Sequence, residues 1–297
     1  MESNRKYPRV LITGANGQLG KQLTRDLQSL NFVIQATDRS TLNLLDRKSI
    51  NVFFAKNQFE WIVNAAAFTQ LDLAEYSKRD ECRIVNAEAV AHLVDIAKDS
   101  GAKFIQISTD AVFGSEQPRY FTEHDEPSPW NYYGETKAKA EQYVREKIAD
   151  TSWIIRSSWS FGEWGGNFLN RILEKIKNDE HIKVVNDQFG QPTWTKYIAE
   201  GIKLILFGGV KPGIYHCAPP EFVSRARFAE MIGQSVVSWR SKVIETPTVS
   251  NSLIARRPTY SLLETSRIFL SKTNLGKTSL KDDISEVVRL RFNDAAQ

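Results

Sequence analysis

Three glycines, Gly14, Gly17 and Gly20, fall between a short apolar run and the start of a helical pattern. The run Arg9-Val-Leu-Ile-Thr13 is β-branched and apolar, which predicts a buried strand. Leu19, Leu23, Leu27 and Leu30 follow at helical spacing. A glycine triplet in that context leaves few options for a fold. Gly14 permits a tight turn, Gly17 lets the backbone approach a pyrophosphate, and Gly20 lets the helix lie close to the strand. Phosphates would then rest on N–H groups near Gln18 and Leu19, with Asn16 beside them, where a helix N-terminus favours anions.

Strands and helices alternate through the first half. Phe32–Ala36, Trp61–Ala66, Lys103–Thr109 and Ser152–Arg156 are predicted strands, and helical stretches lie near 17–30, 47–57, 80–100 and 132–149. Near-continuous apolar strands separated by amphipathic helices predict a parallel sheet covered on both faces. The expected fold is α/β, a Rossmann-type doubly wound parallel sheet with a smaller interleaved C-terminal substrate lobe. Proline and glycine punctuate the chain after about residue 158. Residues 1–158 are therefore expected to form the NAD(P)-binding domain. Residues 159–297 are expected to form mainly a substrate-binding lobe, with returns to the sheet near 182–208 and 238–255. At 297 residues and 41% hydrophobic content the chain can bury a full core.

Tyr133 and Lys137 are four residues apart, so they share one face of a helix. A phenol titrates near ~10, which makes it an acid rather than a base at neutral pH. A nearby cation lowers that pKa. Thr109 ends the preceding predicted strand and can hold a substrate oxygen beside the phenol. The three together can move a proton on or off an oxygen while a hydride moves at the attached carbon. Tyr132 is five residues from Lys137, about 140° round the helix, and is expected to face elsewhere.

Asp38 closes the second predicted strand, where an acidic residue favours NADH by accepting from ribose hydroxyls. Arg39 follows it directly and can accommodate a 2′-phosphate, so NADH and NADPH both stay open. Ala65, Ala66 and Ala67 follow a strand, and small residues there let a ligand lie against backbone. Glu75 is read as a cap on the turn after Asp72 rather than as a ligand contact.

The basic residues behind the +4 net charge are scattered, which does not indicate a nucleic-acid surface. Cys82 and Cys217 have neither redox nor metal spacing, the four histidines are dispersed, and no metal site is expected. No apolar run reaches membrane-spanning length and no signal segment precedes the first strand, so a cytoplasmic protein is expected. A homodimer stays open.

Taken together, these residues resemble the extended short-chain dehydrogenases/reductases and, more narrowly, the dTDP-4-dehydrorhamnose reductase family. The carriers are Gly14-x-x-Gly17-Gln-Leu-Gly20, Asn64-Ala-Ala-Ala-Phe-Thr69, Ser108-Thr-Asp-Ala-Val-Phe113, Tyr133-Gly-Glu-Thr-Lys137, Arg156-Ser-Ser-Trp159, Asn167-Phe168, Asp187-Gln-Phe-Gly-Gln-Pro-Thr193 and Arg257-Pro258. The resemblance implies NADPH- or NADH-dependent reduction of the C4 keto group of a nucleotide-linked 4-keto-6-deoxy sugar. The expected conversion is dTDP-4-dehydrorhamnose to dTDP-rhamnose, for polysaccharide biosynthesis. It implies that Tyr133 donates a proton to the C4 oxygen and that Thr109 bonds the same oxygen. Lys137 is implied to bind ribose and lower the Tyr133 pKa. Asn43 and Leu44 fall on the adenine side. Thr69, Asp110, Trp159, Asn167 and Gln191 fall on the substrate side, with Arg256 and Arg257 near the diphosphate.

Two positions depart from the family pattern: Ala111 stands where an aromatic residue is usual, and Asn43 where Asp is usual. The Tyr/Lys pair also serves nucleotide-sugar epimerases and other ketoreductases of the superfamily. The chain likewise resembles the non-catalytic beta subunit of methionine adenosyltransferase, a regulatory protein that would bind cofactor without turnover.

Overall fold

The computed structural model describes residues 7–294 apart from 238, 241 and 250–253. Six parallel strands form one sheet, in the spatial order Gly213–His216, Ser152–Ser157, Lys103–Thr109, Trp61–Asn64, Arg9–Thr13 and Val33–Ala36. The chain adds the second strand on one side of the first and the third on the other. The strand order therefore reverses between Arg9–Thr13 and Trp61–Asn64. In open α/β sheets, ligands bind outside the carboxyl ends of the strands at such a reversal. The loop after Arg9–Thr13 begins with Gly14, and the loop after Trp61–Asn64 begins with Ala65.

The apolar strand runs are explained by burial on both faces. Val10, Ile12, Val63 and Ile105 join one core with Leu19, Leu23, Leu27, Ile198, Ile202 and Ile205. Leu11, Ile62 and Phe104 face the opposite way and join Val90, Leu93, Val94, Ala140 and Val144. This is the period-2 alternation of a strand with a helix layer on each side. The helix Gln18–Gln28 holds Leu23 and Leu27 fully buried, and each such side chain contributes roughly 1.5–3 kcal/mol.

The predicted helix near 80–100 is present and continuous from Arg79 to Ser100, but it contains a π turn. It comprises Arg79–Arg83, a π turn at Ile84–Glu88, and Ala89–Ser100. The strand that rejoins the large sheet is Gly213–His216, outside both stretches assigned to returns. Ile182–Val185 instead pairs with Val243–Thr246 in a separate two-stranded sheet, and the helix Thr195–Leu206 packs against the helix Gln18–Gln28. Part of the stretch 238–255 lies outside the described residues. Short two-residue strand pairs, Ser160–Phe161 with Thr193–Trp194 and Phe189–Gly190 with Val223–Ser224, shape the segment after residue 158. No helix among the described residues is long and apolar enough to cross a membrane.

Candidate active site

The glycine turn is built by close approach. Gly14 has φ +66°, and a Cβ there would lie 2.7 Å from the Ala66 backbone. A Cβ on Gly20 would lie 2.2 Å from the Gly14 carbonyl oxygen. The helix Gln18–Gln28 begins at Gly17 with no side-chain cap, and the Lys21 N–H is bonded back to the Gly17 carbonyl at 2.9 Å. The first N–H groups of a helix have no partner inside it. Gln18, Leu19 and Gly20 therefore offer donors to an anion where the strand order reverses. Thr13 Oγ1 donates to Asn64 Oδ1 at 2.6 Å and accepts from Ala66 N at 3.3 Å, tying the two loops together.

On the π turn, Asn86 clamps the Phe68 backbone: Oδ1 accepts from its N–H at 2.8 Å and Nδ2 donates to its carbonyl at 3.0 Å. The clamp fixes the run Ala65–Thr69. Sequence pattern does not reveal it, because an Asn inside a helical stretch carries no signal of a register slip.

The helix Tyr132–Ile148 is anchored twice at its start. Asn131 Oδ1 accepts from Gly134 N at 2.9 Å, and Glu75 Oε2 accepts from Tyr132 N at 2.9 Å. Glu75 is thus a cap, but on this helix rather than on the turn after Asp72. A Cβ on Gly134 would sit 2.2 Å from the Ala111 carbonyl oxygen, so glycine lets the helix press against the turn Asp110–Val112. Tyr133, Lys137 and Thr109 are all buried. Tyr132 faces away, its ring 3.6 Å from the Arg79 guanidinium carbon.

Lys137 Nζ donates to the Ile107 carbonyl at 2.6 Å. Burial draws its pKa down to about 8, while Glu141 one turn further on pulls it upward. The sequence predicts that Lys137 lowers the Tyr133 pKa, and the structure gives the phenol the opposite sign. Burial raises it, Asp110 and Cys82 add to the rise, and only the Thr109 hydroxyl opposes. Tyr133 is therefore held protonated at neutral pH, the form that can give a proton.

Thr109 Oγ1 donates to Asp110 Oδ1 at 3.1 Å and accepts from Ala111 N at 3.1 Å. Asp110 Oδ2 also accepts from Ser158 at 2.9 Å and Ser261 at 2.7 Å. Burial raises the Asp110 pKa, and these three hydroxyls oppose the rise. Asp110 lies at the cavity wall with its carboxylate already committed to hydroxyl donors.

The cavity measures about 1080 Å³ and runs from Asn16–Leu19 past Thr109, Tyr133 and Lys137 to the lobe after residue 158. Thr69, Trp159 and Asn167 line it, and so does Ala111, which packs against the cluster that holds Tyr133. Asn167 is also a staple. Its Oδ1 accepts from Asn170 N at 3.0 Å, and its Nδ2 donates to Gly162 O at 2.9 Å, Trp164 O at 3.0 Å and Gln18 Oε1 at 3.2 Å. Gln191 is fully buried behind the wall. Its amide donates to Pro219 O at 2.7 Å and Leu263 O at 2.9 Å, and it accepts from Leu263 N at 2.7 Å.

Arg257 lines the cavity and pairs with Asp72, Nη2 to Oδ2 at 3.1 Å. That partner holds the Asp72 carboxyl below its ordinary pKa. Arg256 points elsewhere, 3.3 Å from Glu116 and 4.0 Å over the Trp130 ring.

Arg225 and Arg171 also line the cavity, and the sequence did not single them out. The Arg225 guanidinium carbon lies 3.5 Å over the Trp159 ring, a cation–π contact. Burial draws its pKa down to about 9, with Arg171 and Arg257 adding to the shift and Asp110 opposing it. Val223-Ser-Arg-Ala-Arg227 reads as an ordinary helix start, so nothing local marks Arg225 as a cavity residue.

A second cavity of about 280 Å³ adjoins the glycine turn. Gly14, Gly17, Asp38, Arg39, Asn43, Leu44, Ala65–Ala67 and Glu81 line it. Asp38 is locked in its turn. Its Oδ1 accepts from Ser40 N at 2.9 Å, Ser40 Oγ at 2.6 Å, Thr41 N at 3.1 Å and Thr41 Oγ1 at 3.1 Å, and its Oδ2 from Asn16 Nδ2 at 2.5 Å. The Ser40 hydroxyl, foremost among these donors, brings its pKa to about 2. Among the described residues no cluster of three or more His, Cys, Asp or Glu could hold a metal ion.

A parallel sheet with a glycine turn at its strand-order reversal, opening onto a buried Thr/Tyr/Lys set, defines a dinucleotide-dependent enzyme of the short-chain dehydrogenase/reductase class. The family model described as the RmlD substrate binding domain matches residues 8–289, and the chain belongs to that family. It is 36% identical over 275 residues to a dTDP-4-dehydrorhamnose reductase of Burkholderia thailandensis, covering 86% of this chain and 90% of that one. It is 32% identical over 255 residues to the spore coat polysaccharide biosynthesis protein SpsK of Bacillus subtilis, covering 86% and 88%. Among solved structures it resembles the dTDP-4-dehydrorhamnose reductase of Bacillus anthracis in complex with NADP, with a TM-score of 0.87, 30% identity, and coverage of 95% and 99%.

Proposed function

We infer that this chain is an NAD(P)H-dependent oxidoreductase that reduces the C4 keto group of a nucleotide-linked 4-keto-6-deoxy sugar, converting dTDP-4-dehydrorhamnose to dTDP-rhamnose. The observation that carries this reading is the buried set of Tyr133, Thr109 and Lys137, lining the larger cavity that also takes in the glycine turn. The named relatives support the same substrate class.

When bound, the cofactor supplies a hydride to the carbonyl carbon. Tyr133 gives its proton to the carbonyl oxygen, which completes the alcohol and leaves a phenolate. Lys137 uses one N–H on Ile107, and its remaining donors serve the phenolate and a ribose hydroxyl. The Thr109 hydroxyl turns from Asp110 to the carbonyl oxygen, and Asp110 keeps two other hydroxyl donors. Gly14, Gly17 and Gly20, with the N–H groups of Gln18 and Leu19, hold the pyrophosphate. Asp38, Arg39, Asn43 and Leu44 form the adenosine end.

On the substrate side, Thr69 and Trp159 contact the sugar nucleotide. Asn167, Gln191 and Asp110 act by fixing the wall, since their polar atoms are spent on protein partners. Arg225, Arg171 and Arg257 serve the diphosphate, and Arg256 does not. Residues 1–158 thus carry mainly the cofactor and 159–297 mainly the substrate, with Gly213–His216 as a return to the sheet. We further propose a cytoplasmic location and a homodimer, the latter tested by sedimentation.

The diphosphate assignment makes a direct prediction. Arg225→Gln removes a cation preorganised on Trp159. A charged hydrogen bond is worth about 1.5–3 kcal/mol, so binding of dTDP should weaken by roughly 10- to 150-fold in a calorimetric titration. Cofactor affinity should hold. Unchanged dTDP binding would remove Arg225 from the site.

A further inference from the structure

The groups around the adenosine end set up a competition for one cation. Asp38 and Glu81 are the carboxylates lining that pocket, and Arg39 is the guanidinium there. The Asp38 carboxylate already accepts from Ser40, Thr41 and Asn16. Arg39 follows Asp38 directly, where an Arg can accommodate a 2′-phosphate. Its Nη1 lies 3.4 Å from Glu81 Oε1, while Glu81 Oε2 lies 3.4 Å from Lys78 Nζ. The Arg39 side chain is 71% exposed and that of Glu81 25%, so Arg39 can swing while Glu81 stays at the wall.

We propose that Glu81 is a cofactor-selectivity residue: it holds Arg39 away from a 2′-phosphate and opposes that phosphate with its own charge. A 2′-phosphate must draw Arg39 off Glu81 and then sit near two carboxylates. A 2′-hydroxyl meets neither cost. The proposal rests on the dinucleotide reading of the pocket. It adds that the residue which limits NADPH sits on the helix Arg79–Arg83, distant in sequence from the strand end where selectivity is usually read.

The test is direct binding, followed by protein fluorescence, of NADPH and NADH to the full chain and to Glu81→Gln, Arg39→Ala and the double variant. Glu81→Gln should tighten NADPH by about 2- to 5-fold, the scale of exposed charge pairs, and leave NADH unchanged. The gain should fade as salt is raised from low ionic strength, because exposed charges are screened over about 8–10 Å. In the Arg39→Ala background the gain should fall by at least half, since the competition for Arg39 is gone. An unchanged NADPH affinity in Glu81→Gln, an equal shift for both cofactors, or a full gain without Arg39 would each overturn the proposal alone. Failure of the wild-type chain to bind either cofactor would overturn the dinucleotide reading and the proposal together.

Discussion

Tyr133→Phe should lower kcat by about 10²–10⁴-fold, the usual contribution of a positioned general acid. The substitution keeps the ring, so the packing against Ala74 and Cys82 survives. What is lost is the proton that burial keeps on the phenol. Cofactor affinity should barely change, because the loss falls on the transition state and not on ground-state binding. Lys137→Met should weaken both turnover and cofactor binding, since Lys137 serves the phenol and the ribose. Tyr132→Phe should do little, because that ring lies under Arg79 and its N–H is capped by Glu75. Steady-state kinetics on the three variants separates these roles. Loss of activity in Tyr132→Phe with activity kept in Tyr133→Phe would show that the wrong tyrosine had been assigned.

Glu141→Ala should cost about 3–5 kcal/mol of stability, the usual penalty for leaving one partner of a buried ion pair uncompensated. Arg156 and Glu141 are fully buried, with Nη2 2.6 Å from Oε2 and Nε 3.0 Å from Oε1. Ser108 donates to the same carboxylate at 2.5 Å, and Arg156 Nη1 donates to His216 Nε2 at 3.2 Å. The network pins the helix that bears Tyr133 and Lys137 to three adjacent strands, one carrying Thr109. Tm should fall by roughly 5–15 °C. The double variant Glu141→Leu/Arg156→Met, which removes both charges, should recover part of the loss.

The network also predicts a pH dependence. Burial, then Arg156, depress the His216 pKa from 6.5 to about 4, so the native imidazole is neutral. Between those values the unfolded chain binds more protons, so stability from this group is present above pH ~6.5 and is lost as pH falls toward about 4. Chemical denaturation at several pH values checks both. A cost below about 1 kcal/mol for Glu141→Ala would show that the pair is not holding the helix.

The features legible in the sequence were the local ones. The glycine turn, the alternating elements and the four-residue spacing of Tyr133 and Lys137 depend on neighbours in the chain, and they stand in the structure as read. What escaped depends on residues distant in sequence. Gly213–His216 is four residues long, and its place as the sixth strand is set by pairing with Ser152–Ser157. Arg225 becomes a cavity residue only when its helix brings it over Trp159. Gln191 carries a motif associated with substrate, yet folding spends its amide on Pro219 and Leu263. The sign of the Tyr133 shift was missed for a related reason. Helical spacing reports the cation, but burial, which only the folded chain reveals, is the largest cause of the shift.

The central claim is net reduction of a keto sugar, and the most direct measurement is NADPH and NADH oxidation with dTDP-4-dehydrorhamnose supplied and the product identified by NMR. The account predicts one cofactor consumed per sugar, dTDP-rhamnose as product, and turnover that collapses in Tyr133→Phe. Sugar interconversion without net cofactor oxidation would point to an epimerase. Cofactor binding with no turnover would contradict the account outright and favour a regulatory protein built on the same fold.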